Sequence, residues 1–122
     1  MSLGLSVVAA VLLGGGCRSD PRAEYRVPAL IQALKDPDPK KRCTAAQTLA
    51  KYGPEAESAV PALTEALRDS DKDVRLAAAY ALAEIGPAAK TAVPDLKDAL
   101  KDKEKKVREA AAYALKRLAP QK

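Results

Sequence analysis

Histidine, tryptophan and phenylalanine are absent from this sequence, and aromatic residues make up only 3% of its 122 residues. Without histidine, the chain cannot perform histidine acid–base catalysis, form Ser/His or Cys/His nucleophile pairs, or ligate a metal through imidazole. The core must be built from Leu, Val, Ile and Ala, which favours helices packed closely through small side chains. The length allows one small domain. The net charge of +5 indicates no more than a weak preference for anionic surfaces.

Charged side chains are also missing from the first 16 residues, which are apolar from Leu3 to Leu13 and lead through three glycines to Cys17. This run is too short to cross a bilayer as a mature helix, but its length suits the hydrophobic region of a secretory signal. The segment resembles a bacterial lipoprotein signal. The resemblance implies a cleaved signal over 1–16, lipidation of Cys17 and a short linker over 17–23. Ordinary secretion and an apolar first helix of the domain are the alternatives.

The residue after Cys17 bears on where such a lipoprotein is delivered. It is Arg18 and not Asp, so by the rule of that family an inner-membrane retention signal is absent. The resemblance therefore implies a lipid-anchored protein of the bacterial cell envelope, with the outer membrane favoured in a Gram-negative cell. If Cys17 is not lipidated, a secreted or periplasmic protein is expected. Cys43 is then interpreted as a small packing residue, because a lipidated Cys17 leaves it without a disulfide partner.

Internal repetition is the main feature of the rest of the chain. VPAL at 27, VPAL at 60 and VPDL at 93 recur every 33 residues, and 17 of the 33 aligned positions are identical between 27–59 and 60–92. Such agreement identifies a repeat domain. We place this domain over 24–122, with repeats at about 24–52, 53–85 and 86–118.

Each repeat is predicted to form two helices. In the second repeat, Gly53 ends one helix and Pro54 starts the next, which runs to about Leu67 and is bent by Pro61. After the turn RDSDK, a second helix extends from about Asp71 to Ile85. Neither helix can bury its apolar stripe alone, so neighbouring pairs must stack into an all-α, right-handed α-solenoid of three helix pairs.

The pattern VPAL..AL.D.D..VR..AA.AL..IG resembles HEAT-like repeats, in the short form also found in phycobilisome lyases. The resemblance covers about residues 24–120. It implies the stacked helix pairs described above and a concave side that is lined by the second helices and commonly binds partners. The scaffold hosts many functions, so the resemblance specifies the fold better than the activity.

Three aspartates at alternate positions, Asp69, Asp71 and Asp73, match the opening of a calcium loop. Such a loop needs Gly at its sixth position and Glu at its twelfth, where this chain has Val74 and Tyr80. No metal site is predicted. Asp38 and Asp71 are instead expected to cap the second helices.

An Asp stands six residues before an Arg in every repeat. The resemblance implies that these residues form a hydrogen-bonded Asp–Arg ladder between neighbouring repeats. The ladder residues are Asp36, Arg42, Asp69, Arg75, Asp102 and Arg108.

A stripe at i, i+4 and i+7 along the second helices is predicted to face outward and to form a partner-binding strip. Tyr80 and Tyr113 lie in register on it, so they either contact a partner or pack against each other across the repeat joint. Ala50 and Ala83 end the stripe in the first two repeats. The partner-binding candidates are Gln47, Leu76, Tyr80, Glu109, Tyr113 and Lys116.

Basic residues crowd the last repeat between Lys101 and Lys122. A polar cap at the end of the array explains them better than nucleic-acid binding, because a secreted lipoprotein rarely meets nucleic acid. Attraction to anionic lipid headgroups is a further option, if Cys17 holds the domain near a membrane.

The sequence therefore predicts a non-catalytic, lipid-anchored interaction scaffold with a protein partner and with no catalytic residues, cofactor or metal. The alternatives are a lyase-like enzyme or enzyme subunit that shares the repeat, and a purely structural element that self-associates weakly through its terminal repeats.

Overall fold

The structure, a computed structural model, describes residues 21–119; the predicted signal 1–16 and the lipidation candidate Cys17 lie outside the described residues. Within 21–119 the chain forms six α-helices joined by turns and two 3₁₀ segments, and no strand. None of these helices has the length and apolarity needed to cross a membrane. The helices are α1 (Ala23–Ala33), α2 (Pro39–Tyr52), α3 (Val60–Ala66), α4 (Lys72–Ile85), α5 (Val93–Ala99) and α6 (Lys105–Leu118).

The second helices α2, α4 and α6 begin and end as their sequences dictate. Asp71 caps α4, because its Oδ1 accepts hydrogen bonds from the backbone N–H groups of Asp73 (2.8 Å) and Val74 (3.2 Å). Asp38 caps α2 in the same way through Lys40 N–H at 2.9 Å. The helices α2 and α4 stop at Gly53 and Gly86, whose φ angles of 59° and 80° are rarely adopted by residues with a Cβ.

The first helices of the second and third repeats differ from the prediction. A single helix bent at Pro61 was expected, but a 3₁₀ segment (Gly53–Ala59) comes first and the α-helix begins only at Val60. The break lies at Ala56, with φ −93° and ψ 19°. Pro61 therefore occupies the first turn of α3, where its missing N–H has no helical acceptor in any case. The third repeat follows the same path through Gly86–Ala92.

The helix pairs stack into the right-handed α-solenoid that the repeats predict. The second helices pack side by side along the array, whereas the first helices reach their neighbours mainly through the 3₁₀ segments. Fully buried leucines fill the space between the two helical layers, and alanines on α2 and α4 allow the close approach. The largest of these buried side chains are Leu49, Leu63, Leu82, Ile85 and Leu96.

Candidate functional site

The Asp and Arg residues of the repeats meet at the joints between neighbouring units. Arg42 donates from Nε to Asp69 Oδ2 (2.8 Å) and from Nη2 to Asp69 Oδ1 (3.0 Å). Arg75 binds Asp102 in the same two-pronged way, at 2.8 and 3.2 Å. Each carboxylate therefore belongs to the repeat that follows its arginine, and each pair ties two repeats together.

The third nitrogen of each arginine fixes the orientation of the guanidinium. Arg42 Nη1 donates to the carbonyl oxygen of Asp36 at 2.7 Å, and Arg75 Nη1 donates to that of Asp69 at 2.8 Å. The carbonyl acceptor lies in the same repeat as its arginine. Arg42 and Arg75 are thus each held by their own turn while they bind the carboxylate of the next turn.

These contacts change the ionisation of the groups. Burial alone would raise the pKa of Asp69, but hydrogen bonds from Arg42 and from the Asp71 N–H outweigh burial and hold that pKa below its usual value. The pKa of Asp102 is lowered in the same way by Arg75. The hydrogen bond to Asp69 raises the pKa of Arg42. Both joints are therefore ion pairs at neutral pH.

The ladder has two open ends within the described residues. Asp36 Oδ1 accepts a hydrogen bond from Asp38 N–H at 2.8 Å, but no arginine reaches its carboxylate. At the other end, Arg108 Nη1 donates to the Asp102 carbonyl oxygen at 2.7 Å. Nε and Nη2 of Arg108 have no partner among residues 21–119.

The two predicted strip tyrosines stack on each other. The ring centroids of Tyr80 and Tyr113 are 5.9 Å apart and the ring planes differ by 17°. The residues Tyr80 and Tyr113 remain 50% and 39% exposed respectively, so stacking leaves much of their surface open. The two tyrosines therefore pack against each other across the repeat joint while remaining partly exposed, and contact with a partner stays a prediction.

Two further side chains contact Tyr113. Its hydroxyl donates to Glu84 Oε2 at 3.3 Å, and the Arg117 guanidinium lies 5.7 Å from the ring centroid. Arg117 Nε also donates to the Ala83 carbonyl oxygen at 2.9 Å, which crosses the same joint. Arg117 was missed from the sequence. The only hint of a special role in the sequence is that this position differs in every repeat, being Lys51 in the first, Glu84 in the second and Arg117 in the third.

The rest of the predicted strip is only partly as expected. Gln47, Glu109 and Lys116 are exposed, and Leu76 is half-buried. The prediction is wrong for Ala50 and Ala83, which are buried. Both alanines face the following repeat, so the stacked neighbour covers them. The open strip therefore consists of the tyrosine pair and its polar flanks.

Cys43 lies half-buried beside the turn of the second repeat. Its Sγ donates to the Asp73 carbonyl oxygen at 3.7 Å. Burial raises the pKa of this thiol, and the negative charges of Asp73 and Asp71 add to the effect. The thiol is consequently protonated at neutral pH and is not an activated nucleophile.

Known proteins resemble this arrangement of repeats. The family model for HEAT repeats matches residues 27–118. The chain belongs to the HEAT-repeat family. An engineered protein solved by the Northeast Structural Genomics Consortium superposes on this HEAT-repeat chain with a TM-score of 0.68 and 27% sequence identity. The match covers 93% of this chain but only 49% of the engineered protein, so the chain spans about half of that protein's length. No curated protein matches this chain.

No group of three or more His, Cys, Asp or Glu side chains within 21–119 is arranged to hold a metal ion. In particular, Asp69 binds Arg42 at the joint, Asp71 caps α4, and Asp73 is exposed. The described surface carries stacked rings, amides and charged groups. These groups are suited to binding a protein.

Proposed function

We propose that this HEAT-repeat protein is a non-catalytic scaffold that binds a protein partner along the face of its second helices. HEAT repeats typically mediate protein–protein interaction, and this scaffold role needs no catalytic residue. The exposed Tyr80–Tyr113 stack carries the proposal. The second helices contact one another along the array more extensively than the first helices do, which supports a concave side lined by the second helices.

The stack has the properties of an interface anchor. Tyrosines are enriched at interfaces because they offer a large apolar area with a polar tip and few rotatable bonds. Here Glu84 and Arg117 already hold the ring of Tyr113, so the Tyr113 side chain loses little further freedom when a partner binds. Gln47, Glu109 and Lys116 supply exposed polar groups around the rings.

The test is capture of a partner from the native cell extract with Tyr80→Ala/Tyr113→Ala as bait. Truncation of an aromatic anchor at an interface costs roughly 2 kcal/mol or more, so we expect the partner to be lost. Tyr25→Ala is the matched control, because Tyr25 is a 72% exposed tyrosine on α1, away from the stack. Full retention of the partner by the double variant would rule out this face. A bilin retained after co-expression would favour a lyase-like role instead.

We also propose that the scaffold is anchored at the bacterial cell envelope through a lipid on Cys17. The support is the apolar run 3–13 followed by glycines and the cysteine. Labelling of cells with radioactive palmitate should mark the chain and leave Cys17→Ser unlabelled. An unlabelled wild-type chain would remove the anchor from the proposal and leave secretion to the periplasm or medium.

A further inference from the structure

The two edges of the solenoid are built differently. At the N-terminal edge, polar Lys41, Thr44 and Thr48 occupy the positions at which the second repeat has buried Val74, Ala77 and Ala81. Those substitutions suit an edge that meets water. The N-terminal edge is therefore capped by its own sequence.

The C-terminal edge keeps the residues that an inner repeat uses to bind its neighbour. Leu100 corresponds to Leu67 but is 40% exposed where Leu67 is 4% exposed. Ala112 is likewise exposed where its counterpart Ala79 is buried. Arg108 completes the set as the counterpart of Arg42 and Arg75.

Arg108 is prepared to bind a carboxylate. Its Nη1 bond to the Asp102 carbonyl, at 2.7 Å, repeats the bonds that orient Arg42 and Arg75. In both of those arginines, Nε and Nη2 together donate two hydrogen bonds to one aspartate. Nε and Nη2 of Arg108 have no partner within residues 21–119. By analogy with the two inner joints, the ligand that suits Nε and Nη2 of Arg108 is a carboxylate.

We infer that the C-terminal edge is a docking site for an acidic segment of a partner protein, with Arg108 as a two-pronged receptor for an Asp or Glu side chain. Leu100 and Ala112 provide the apolar contact beside it. Lys101, Lys103 and Lys106 are exposed at or next to this turn, and their ammonium groups attract further carboxylates. This site is separate from the tyrosine strip, so a test that rules out binding at one of them leaves binding at the other unaffected.

A second copy of the chain fits this edge poorly. Its N-terminal edge would offer Asp36 to Arg108, but it would also bring polar Thr44 and Thr48 against the apolar contact. In the repeat register, Lys51 corresponds to Arg117, which lies over Ala83 in the inner joint. Stacked copies would place Lys51 over Lys116, the counterpart of Ala83, and two like charges repel. An acidic partner has neither defect.

The experiment measures binding of a fluorescein-labelled peptide rich in Asp and Glu to the full 122-residue chain. We expect Arg108→Lys to weaken binding about tenfold, because lysine keeps the charge but loses the two-pronged geometry. The control Lys106→Gln removes a full charge at the same turn and should weaken binding about twofold or less. Circular dichroism checks that both variants keep the helical fold.

A second readout places the peptide at the arginine. In ¹H–¹⁵N spectra, the Arg108 Nε–H signal should shift on peptide addition, while those of Arg42 and Arg75 stay in place because their carboxylates are already bound. Equal losses for Arg108→Lys and Lys106→Gln would overturn the inference, since only a diffuse charge effect would remain. It would also be overturned if Arg108→Lys abolished binding to phosphatidylglycerol vesicles but not to the peptide. Peptide-independent dimers that Arg108→Lys dissociates would assign the edge to a second copy.

Discussion

The second helices of the middle and last repeats, α4 and α6, carry the same motif in different surroundings. Arg75 is 7% exposed and binds a carboxylate, whereas Arg108 is half-buried and, among residues 21–119, binds only a carbonyl. Ala79 is buried and Ala112 is exposed. The two helices differ because α4 has a described repeat on its C-terminal side and α6 does not.

Burial in this protein is therefore a property of the joint more than of the helix. A residue on the face between repeats becomes core only when a neighbour stacks on it, so stability accumulates joint by joint along the array. Both the tyrosine stack and the ion pairs cross such joints. Substitutions that are equivalent in the motif should then have unequal consequences, and the following three pairs test that difference.

The largest difference is expected between Asp102→Ala and Asp36→Ala. Both variants lose one turn hydrogen bond, from Glu104 N–H or Asp38 N–H respectively. Only Asp102→Ala also leaves the buried guanidinium of Arg75 without its carboxylate. Removal of one partner from a buried pair costs about 3 kcal/mol, against about 1 kcal/mol for the lost turn bond alone.

Urea unfolding of both variants measures this difference directly. The control for helix capping is Asp38→Ala, which removes a cap without touching the ladder. Equal losses for Asp102→Ala and Asp36→Ala would mean that the ion pair adds no net stability to the joint.

An intermediate effect is expected from the glycines that end the second helices. Gly86 has φ 80° and ψ −148°, whereas Ala119, at the same position of the last repeat, has φ −66° and ψ 142°. A Cβ at Gly86 meets no atom within 4 Å, so Gly86→Ala reports backbone strain alone, at about 2 kcal/mol. Ala119→Gly should cost about 0.5 kcal/mol, through unfolded-chain entropy.

Thermal unfolding followed by circular dichroism compares these two variants. Gly53→Ala serves as a second inner position, with φ 59°. If Ala119→Gly lowered the melting temperature as much as Gly86→Ala does, the inner and the last helix ends would not differ in strain.

The sequence predicted the fold because repetition makes each local signal appear three times. The helix ends at Asp38, Asp71, Gly53 and Gly86 depend on neighbouring residues only, so they can be predicted from the sequence. The 3₁₀ segments were not predicted. Pro54 and Pro61 are both compatible with a helix start, and only the packing of Ala56 and Ala59 in the joint decides between them.

The candidate surface was less predictable, for the same reason. A periodic stripe shows which residues share a face of one helix, but not which part of that face the next repeat covers. Ala83 and Tyr80 lie on one predicted stripe, yet the neighbour buries Ala83 and leaves Tyr80 half open. The contact of Arg117 with Tyr113 involves one residue type at a position that varies between repeats, so repetition could not reveal it.

The smallest difference is expected in the response to acid of Arg75→Gln and Arg108→Gln. Hydrogen bonds from Arg75 hold the pKa of Asp102 below its usual value of about 3.9. Between these two pKa values the unfolded chain binds a proton that the folded chain does not, so the contribution of this group to stability is present above about pH 4 and is lost at lower pH. Arg75→Gln removes this contribution and should reduce the loss of unfolding free energy between pH 7 and pH 3. Arg108→Gln is the same substitution at an arginine without a carboxylate partner within residues 21–119, so it should leave the acid response as in the parent chain. If both variants changed that response equally, it would reflect net charge and not the joint.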